Sequence, residues 1–349
     1  MDVNKLLQDA LAAGASDIHI EPMDDAVRIR WRRDGVLCQV GCLHKSSLEK
    51  LVSRIKVLAG LDIANRRLPQ DGRIVWKDGN RRLDLRVSTL PTVRGEKVVI
   101  RILDGQRIPL DLSALGMDDQ ARRCLERLIR CRQGLIVICG PTGSGKTTTL
   151  YAALHEIQDD SVSIATLEDP VEILMEGVSQ SQVQVKGGMM FQEGLRALLR
   201  QDPDILVVGE IRDSETARIA VRAALTGHVI FSTLHAPSAV EAVIRLTDMG
   251  IAPYLAADAL AGVVSQRLVR RKTKAGTYEG RFCLCEVVPA GRHLRTAIRS
   301  RAGVAALTEA ARNDGAVLLT DVIARVLAAG WTDEQEIRRV CEGGEARWT

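Results

Sequence analysis

The chain has 349 residues, more than one ordinary hydrophobic core covers, and its 46% hydrophobic content predicts two globular domains. With 48 Lys and Arg against 44 Asp and Glu, the net charge of +4 argues against a dedicated nucleic-acid binder, and aromatics at 3% leave few stacking platforms for single strands. No charged-then-apolar leader opens the sequence, and no apolar run approaches the roughly 18 residues needed to span a bilayer, so a cytoplasmic protein, free or peripheral at the membrane, is expected.

Leu6, Leu7, Ala10 and Leu11 fall at helical spacing and stop at Gly14, which predicts a short amphipathic helix. Val27, Ile29 and Trp31 then alternate with Arg28, Arg30 and Arg32, the pattern of a half-buried strand with a basic outer face. Ser46-x-x-Glu49 reads as a capping box heading a helix whose Leu48, Leu51, Val52, Ile55 and Leu58 form one stripe. Two more alternating runs, Arg82 to Val87 and Val98 to Leu103, complete an α+β module over residues 1–103. Turn residues and broken periodicity make 104–111 the linker, and 112–349 the second domain.

A helix at 118–131 leads into the apolar strand 135–139 and then the loop Gly140-Pro141-Thr142-Gly143-Ser144-Gly145-Lys146-Thr147-Thr148, which opens onto a helical stretch ending at Ile157. Strand before and helix after are the context a P-loop demands. Gly140, Gly143 and Gly145 let the backbone turn and aim N–H groups at the β-phosphate of a nucleotide, and the helix N-terminus favours the same anion. Lys146 is placed to reach the β- and γ-phosphates and the Thr147 hydroxyl to ligate Mg2+, so ATP with Mg2+ is the expected ligand.

Beyond the loop, Ser163 to Leu167, Ile205 to Val208 and Val229 to Ser232 are short apolar strands separated by helices, the signature of a parallel sheet wound with helices. In such sheets ligands bind beyond the carboxyl ends of the strands, which carries Glu168-Asp169-Pro170-Val171-Glu172, Gly209-Glu210-Ile211-Arg212-Asp213 and Thr233-Leu234-His235 to the edge that holds the P-loop. An acidic residue there either caps the next helix, the reading open for Glu168 and Asp213, or serves the nucleotide as a ligand of Mg2+ or its waters or as the base for water. Glu210 follows the most apolar strand and is the functional choice. For His228 and His235, which flank a strand, structural and catalytic roles both stay open.

The eight cysteines, at 38, 42, 124, 131, 139, 283, 285 and 341, suggest no disulfide framework, and neither Cys38-x-x-x-Cys42 nor Cys283-x-Cys285 has the matching pair a zinc site wants.

Together the segments Ala15-Ser16-Asp17-Ile18-His19-Ile20-Glu21-Pro22, Leu68 to Arg73, Gly140 to Thr148, Leu167 to Glu172, Leu195 to Asp213, and Leu225 to His228 with Ser232 to His235 resemble the type II secretion and type IV pilus assembly ATPases over nearly the whole chain. The resemblance implies a RecA-like P-loop ATPase domain preceded by a smaller α+β, PAS-like domain, and a homohexamer that hydrolyses ATP. It also implies action on a polytopic inner-membrane platform protein and, indirectly, on pilin or pseudopilin subunits, with no direct nucleic-acid partner expected. Glu168 then matches the family's aspartate box, Glu210 an atypical Walker B glutamate that polarises water and holds Mg2+ partly through water, and His228 and His235 the histidine box. Arg86 and Arg101 match arginines that approach the nucleotide. The tetracysteine zinc element after Gln266-Arg267-Leu268 has no counterpart, so no zinc is expected, and neither is the additional N-terminal docking domain, since the chain begins shortly before the Ser-Asp-Ile-His match. This layout is most similar to the competence pseudopilus branch, with pilus retraction and DNA translocation as the alternatives.

Overall fold

The computed structural model describes residues 2–78, 81–104, 109–184 and 188–341. The chain divides into two compact units, Met1–Ile108 and Pro109–Thr349. Residues 105–108 of the expected linker lie outside the described ones, as do 342–349 of the second domain.

The first unit sets helices α1 (Val3–Ala12) and α2 (Leu48–Leu58) with a sheet of β1 (Asp17–Pro22), β2 (Ala26–Arg33), β3 (Val36–His44), β4 (Gln70–Asp78), β5 (Arg81–Thr92) and β6 (Gly95–Leu103). Their order is β3-β2-β1-β6-β5-β4, and every pairing is antiparallel. Alternation decides which face is inside: Ile18, Ile20, Val27, Ile29, Leu83, Leu85, Val98 and Ile100 join Leu7, Leu51 and Ile55 of the helices in one core.

The opposite face corrects the expected basic surface, because its arginines are neutralised within the sheet. Glu21 takes Arg28 at 2.9 Å, Arg30 at 2.7 Å and Lys97 at 3.2 Å, while Asp17 takes Arg101 at 2.9 Å and Arg32 at 3.7 Å. Burial pushes the Glu21 carboxyl up, but the hydrogen bonds from Arg30 and Lys97 outweigh it and hold it at about 2. The capping box is a second correction. Lys45–Ser47 forms a 3-10 turn before α2, Ser46 Oγ pairs with His44 Nδ1 at 2.8 Å, and Glu49 reaches Arg66 instead of the helix start.

In the second unit, β7 (Gly134–Cys139), β8 (Ile164–Glu168), β9 (Ser179–Gln182), β10 (Ile205–Val208), β11 (Val229–Leu234), β12 (Leu260–Lys272) and β13 (Tyr278–Pro289) form one sheet in the order β13-β12-β7-β11-β10-β8-β9. All neighbours run parallel except the β12–β13 hairpin. β7, β8, β10 and β11 are buried at every position, as strands covered on both faces must be. Leu135, Val137, Leu206 and Ile230 pack on one side, and Ile136, Ile138, Val207 and Phe231 on the other.

Helices α3 (Asp119–Leu128), α4 (Lys146–Ile157), α5 (Phe191–Leu198), α6 (Ser214–Leu225), α7 (Ala239–Asp248) and α8 (Pro253–Ala259) connect and flank these strands. After β13 the described residues carry four helices, α9 (Arg292–Arg299), α10 (Val304–Asn313), α11 (Leu319–Ala328) and α12 (Glu334–Cys341). Cys139, Cys283 and Cys285 are core side chains of β7 and β13.

Candidate active site

β7 delivers the chain to the carboxyl edge of the sheet and α4 carries it away, so the loop between them must reverse direction in a few residues. Gly140, Gly143 and Gly145 do so with φ of 147°, 77° and 87°, values a side chain resists. At Gly140 there is also no room, since a Cβ would stand 2.5 Å from the Gln266 carbonyl oxygen of β12. Gln266 braces the loop further by donating from Nε2 to the Ser144 carbonyl at 2.7 Å. Ser144 is buried with its side chain turned into the protein, whereas Thr142, Gly143, Lys146 and Thr147 face a cavity of about 420 Å³. Gly140, Pro141, Gly145 and Thr148 complete the loop's frame outside the cavity lining.

Lys146 rests its ammonium on the carbonyls of Gly140 and Pro141, at 3.0 and 3.1 Å. Burial lowers its pKa, and the Glu210 charge opposes that shift. A cation held by carbonyls of its own loop is available to a phosphate that offers full negative charge.

The ends of β8, β10 and β11 line the same cavity with Glu168, Asp169, Glu172, Glu210, Arg212, Asp213, Thr233 and His235. Glycine before Glu210 has a physical reason: a Cβ at Gly209 would stand 2.9 Å from the Leu167 carbonyl oxygen, so only glycine lets β10 end this close to β8. The Thr233 hydroxyl donates to the Gly209 carbonyl at 2.7 Å and fixes β11 to the same turn. Glu210 then projects with one oxygen 3.2 Å from His235 Nε2 and the other 2.7 Å from Arg212 Nε.

Glu168 is the last residue of β8 and is 5% exposed, with Tyr151, Thr166 and Gln180 donating to its carboxylate. Asp213 takes the capping role left open for it, accepting from the N–H groups of Glu215 and Thr216 at 2.9 and 2.8 Å at the head of α6.

Of the two histidines whose roles stay open, His235 lines this cavity and His228 stands away from it. His228 precedes β11 at the edge where β7 begins, its carbonyl accepting from Gly134 N–H and its Nδ1 meeting the Ala223 carbonyl at 3.1 Å. The six residues of β11 separate it from His235, roughly 20 Å at strand rise. Arg86 and Arg101 belong to the first unit, where they are cross-strand partners on β5 and β6. Arg212, Tyr151 and Gln266 carry no role in the sequence reading. Arg212 was legible from its place in Gly-Glu-Ile-Arg-Asp beside Glu210, but the other two show only in three dimensions.

The Type II/IV secretion system protein family matches residues 1–339. A type II secretion system protein E of Pseudomonas aeruginosa is 43% identical over 374 aligned positions, covering 97% of this chain and 74% of that protein. The solved pilus retraction motor PilT with bound ADP superposes with a TM-score of 0.69 at 25% identity, covering 96% of each chain. The ATPase DotB of Legionella pneumophila shares the fold at a TM-score of 0.77 and 24% identity, over 96% of this chain and 94% of DotB. The chain therefore belongs to the type II/IV secretion system protein family, as an ATP hydrolase with a RecA-like P-loop domain behind a smaller α+β domain.

Proposed function

We propose that this ATPase is the motor of a type II secretion system, working as a homohexamer at the cytoplasmic face of the membrane on a polytopic platform protein. Its work there is to drive pseudopilin assembly. The observation that carries the reading is the convergence of Lys146, Thr147, Glu210 and His235 on one cavity, in a chain 43% identical to a type II secretion system protein E along 97% of its length. That identity exceeds the 25% shared with the retraction motor, which favours assembly over retraction. Among the described residues no helix is long and apolar enough to cross a membrane.

The residues fit ATP with Mg2+ by their chemistry: a hydroxyl at Thr147 beside a lysine, carboxylates across the cavity, and a loop turned by three glycines at positive φ. When bound, Mg2+ would neutralise charge on the phosphate oxygens. Lys146 would leave its loop carbonyls for the β- and γ-phosphates. Glu210 would orient and deprotonate the attacking water, while His235, in contact with Glu210, would register the γ-phosphate. Arg86, and Arg101 on exchanging Asp17 for phosphate, would add positive charge from the first unit.

Sedimentation of the purified chain with ATP, and turnover measured alone, with platform protein and with DNA, test the reading. A sixfold mass and a rate raised by platform protein are expected. A ring stimulated by DNA and indifferent to platform protein would replace this proposal with a DNA translocase.

A further inference from the structure

Tyr151 lies on α4, one and a half turns past Lys146, with its side chain at 0% exposure in the core. Its hydroxyl donates to Glu168 Oε2 and accepts from the Glu172 N–H at 3.2 Å. The other Glu168 oxygen accepts from Thr166 Oγ1 at 2.6 Å and from Gln180 Nε2 at 3.2 Å. Gln180, on β9, also donates to the Ile173 carbonyl at 2.9 Å and accepts from the Met175 N–H at 2.7 Å. One network thus joins the P-loop helix, two strands and the 172–175 loop through a single buried carboxylate.

A carboxylate at 5% exposure needs donors in place of the water it lost, and here three side chains supply them. Burial and the neighbouring carboxylate both push the Tyr151 hydroxyl up, so it keeps its proton and acts on Glu168 only as a donor. The geometry points to a positioning role: Tyr151 clamps Glu168 to the P-loop helix, so that Glu168 registers the 168–173 segment against Lys146 and leaves Glu210 as the carboxylate that meets the attacking water. Glu168 and Tyr151 act through position, not by contact with the reacting atoms. This rests on Glu210 and Lys146 serving the nucleotide as proposed above.

The test is a double-mutant cycle on the full chain, reading kcat, KM and Tm for Tyr151→Phe, Glu168→Gln and their combination. Tyr151→Phe keeps the ring in the core and removes both hydrogen bonds of the hydroxyl, the one to Glu168 and the one from the Glu172 N–H, so kcat should fall roughly tenfold or more with KM nearly unchanged. Because Tyr151 acts through Glu168, the combined variant should be no slower than Glu168→Gln beyond about twofold. Thr166→Val removes a donor from the other carboxylate oxygen without touching the ring, and should reproduce the loss in kcat even if Tyr151→Phe folds poorly.

Wild-type kcat in Tyr151→Phe, or losses that multiply in the double variant, would overturn the clamp while leaving Glu168 in the site. A wild-type rate in Glu168→Gln would remove Glu168 from the machinery altogether. Failure of the wider reading shows elsewhere, as a Glu210→Gln variant that still turns over.

Discussion

The two sheets of this protein dispose of charge in different ways. In the antiparallel sheet of the first unit, ionic residues stand on an open face, and cross-strand register puts Asp17 and Glu21 of β1 between arginines and a lysine of β2 and β6. In the parallel sheet of the second unit both faces are covered, the central strands are buried throughout and mostly apolar, and the ionic side chains collect at and past the strand ends. Charge paired along a face is spent on holding strands together, whereas charge gathered at an edge is left to meet a ligand. Substitutions on β1 should therefore move stability, and substitutions at the β7, β10 and β11 ends should move chemistry.

The sharpest form of that contrast is Lys146→Ala. It removes the cation that now rests on two loop carbonyls, so ATP binding and hydrolysis should both be lost while the fold melts near its wild-type temperature; wild-type affinity by titration with a fluorescent nucleotide would contradict the P-loop assignment. Glu210→Gln comes next. Binding should persist and turnover should fall by about 10²–10⁴, the usual contribution of a general base. His235→Ala removes the neighbour 3.2 Å from Glu210, and a smaller loss, about tenfold, is expected in kcat at unchanged nucleotide affinity.

Arg86→Ala is the substitution that can break the contrast, since Arg86 stands on the first sheet yet is proposed to serve the nucleotide. A fall in turnover of about tenfold or more with Tm unchanged would give the first unit a chemical role. A change in Tm alone would return Arg86 to the ion-paired face.

What the sequence disclosed follows the same division. The P-loop, its strand and its helix were legible because glycine geometry and an apolar run are local properties, and Glu210 was legible as the first carboxylate past a fully apolar strand. The charged face was misread as basic because the partners of Arg28, Arg30 and Arg32 are Glu21 and Asp17 of the neighbouring strand, and the alternation within β2 does not show which β1 residues the register sets beside it. Ser46-x-x-Glu49 matched a capping box that the 3-10 turn pre-empts. Ser238-x-x-Glu241, which does cap α7, with Ser238 Oγ accepting from Glu241 N–H at 3.2 Å, follows the same pattern. The β12–β13 hairpin went unread since Gln266 and Arg267 are polar, yet both are buried, held by the Ser144 and Pro237 carbonyls. The position of His228 depended on strand direction: a residue entering a parallel strand lies at the edge opposite its carboxyl end.

The smallest expected effect sharpens the contrast from the other side. Glu21 is buried among Arg28, Arg30 and Lys97, and its folded pKa of about 2 stands below the ordinary 4.5. A depressed carboxylate contributes its stability in full above the unfolded value and loses it as pH falls toward the folded one, so the window is from about pH 4.5 down to about 2. Glu21→Gln keeps the shape and removes the charge. It should cost on the order of 2–3 kcal/mol at neutral pH, and the Tm difference from wild type should close as the solution is acidified through that window. Turnover at neutral pH, measured below the melting range of the variant, should stay near wild type because Glu21 holds its own sheet. A Tm difference that persists at low pH would place the loss in packing and not in the ion pairs, and a fall in kcat at intact stability would show that the charged face of β1 works in catalysis as well.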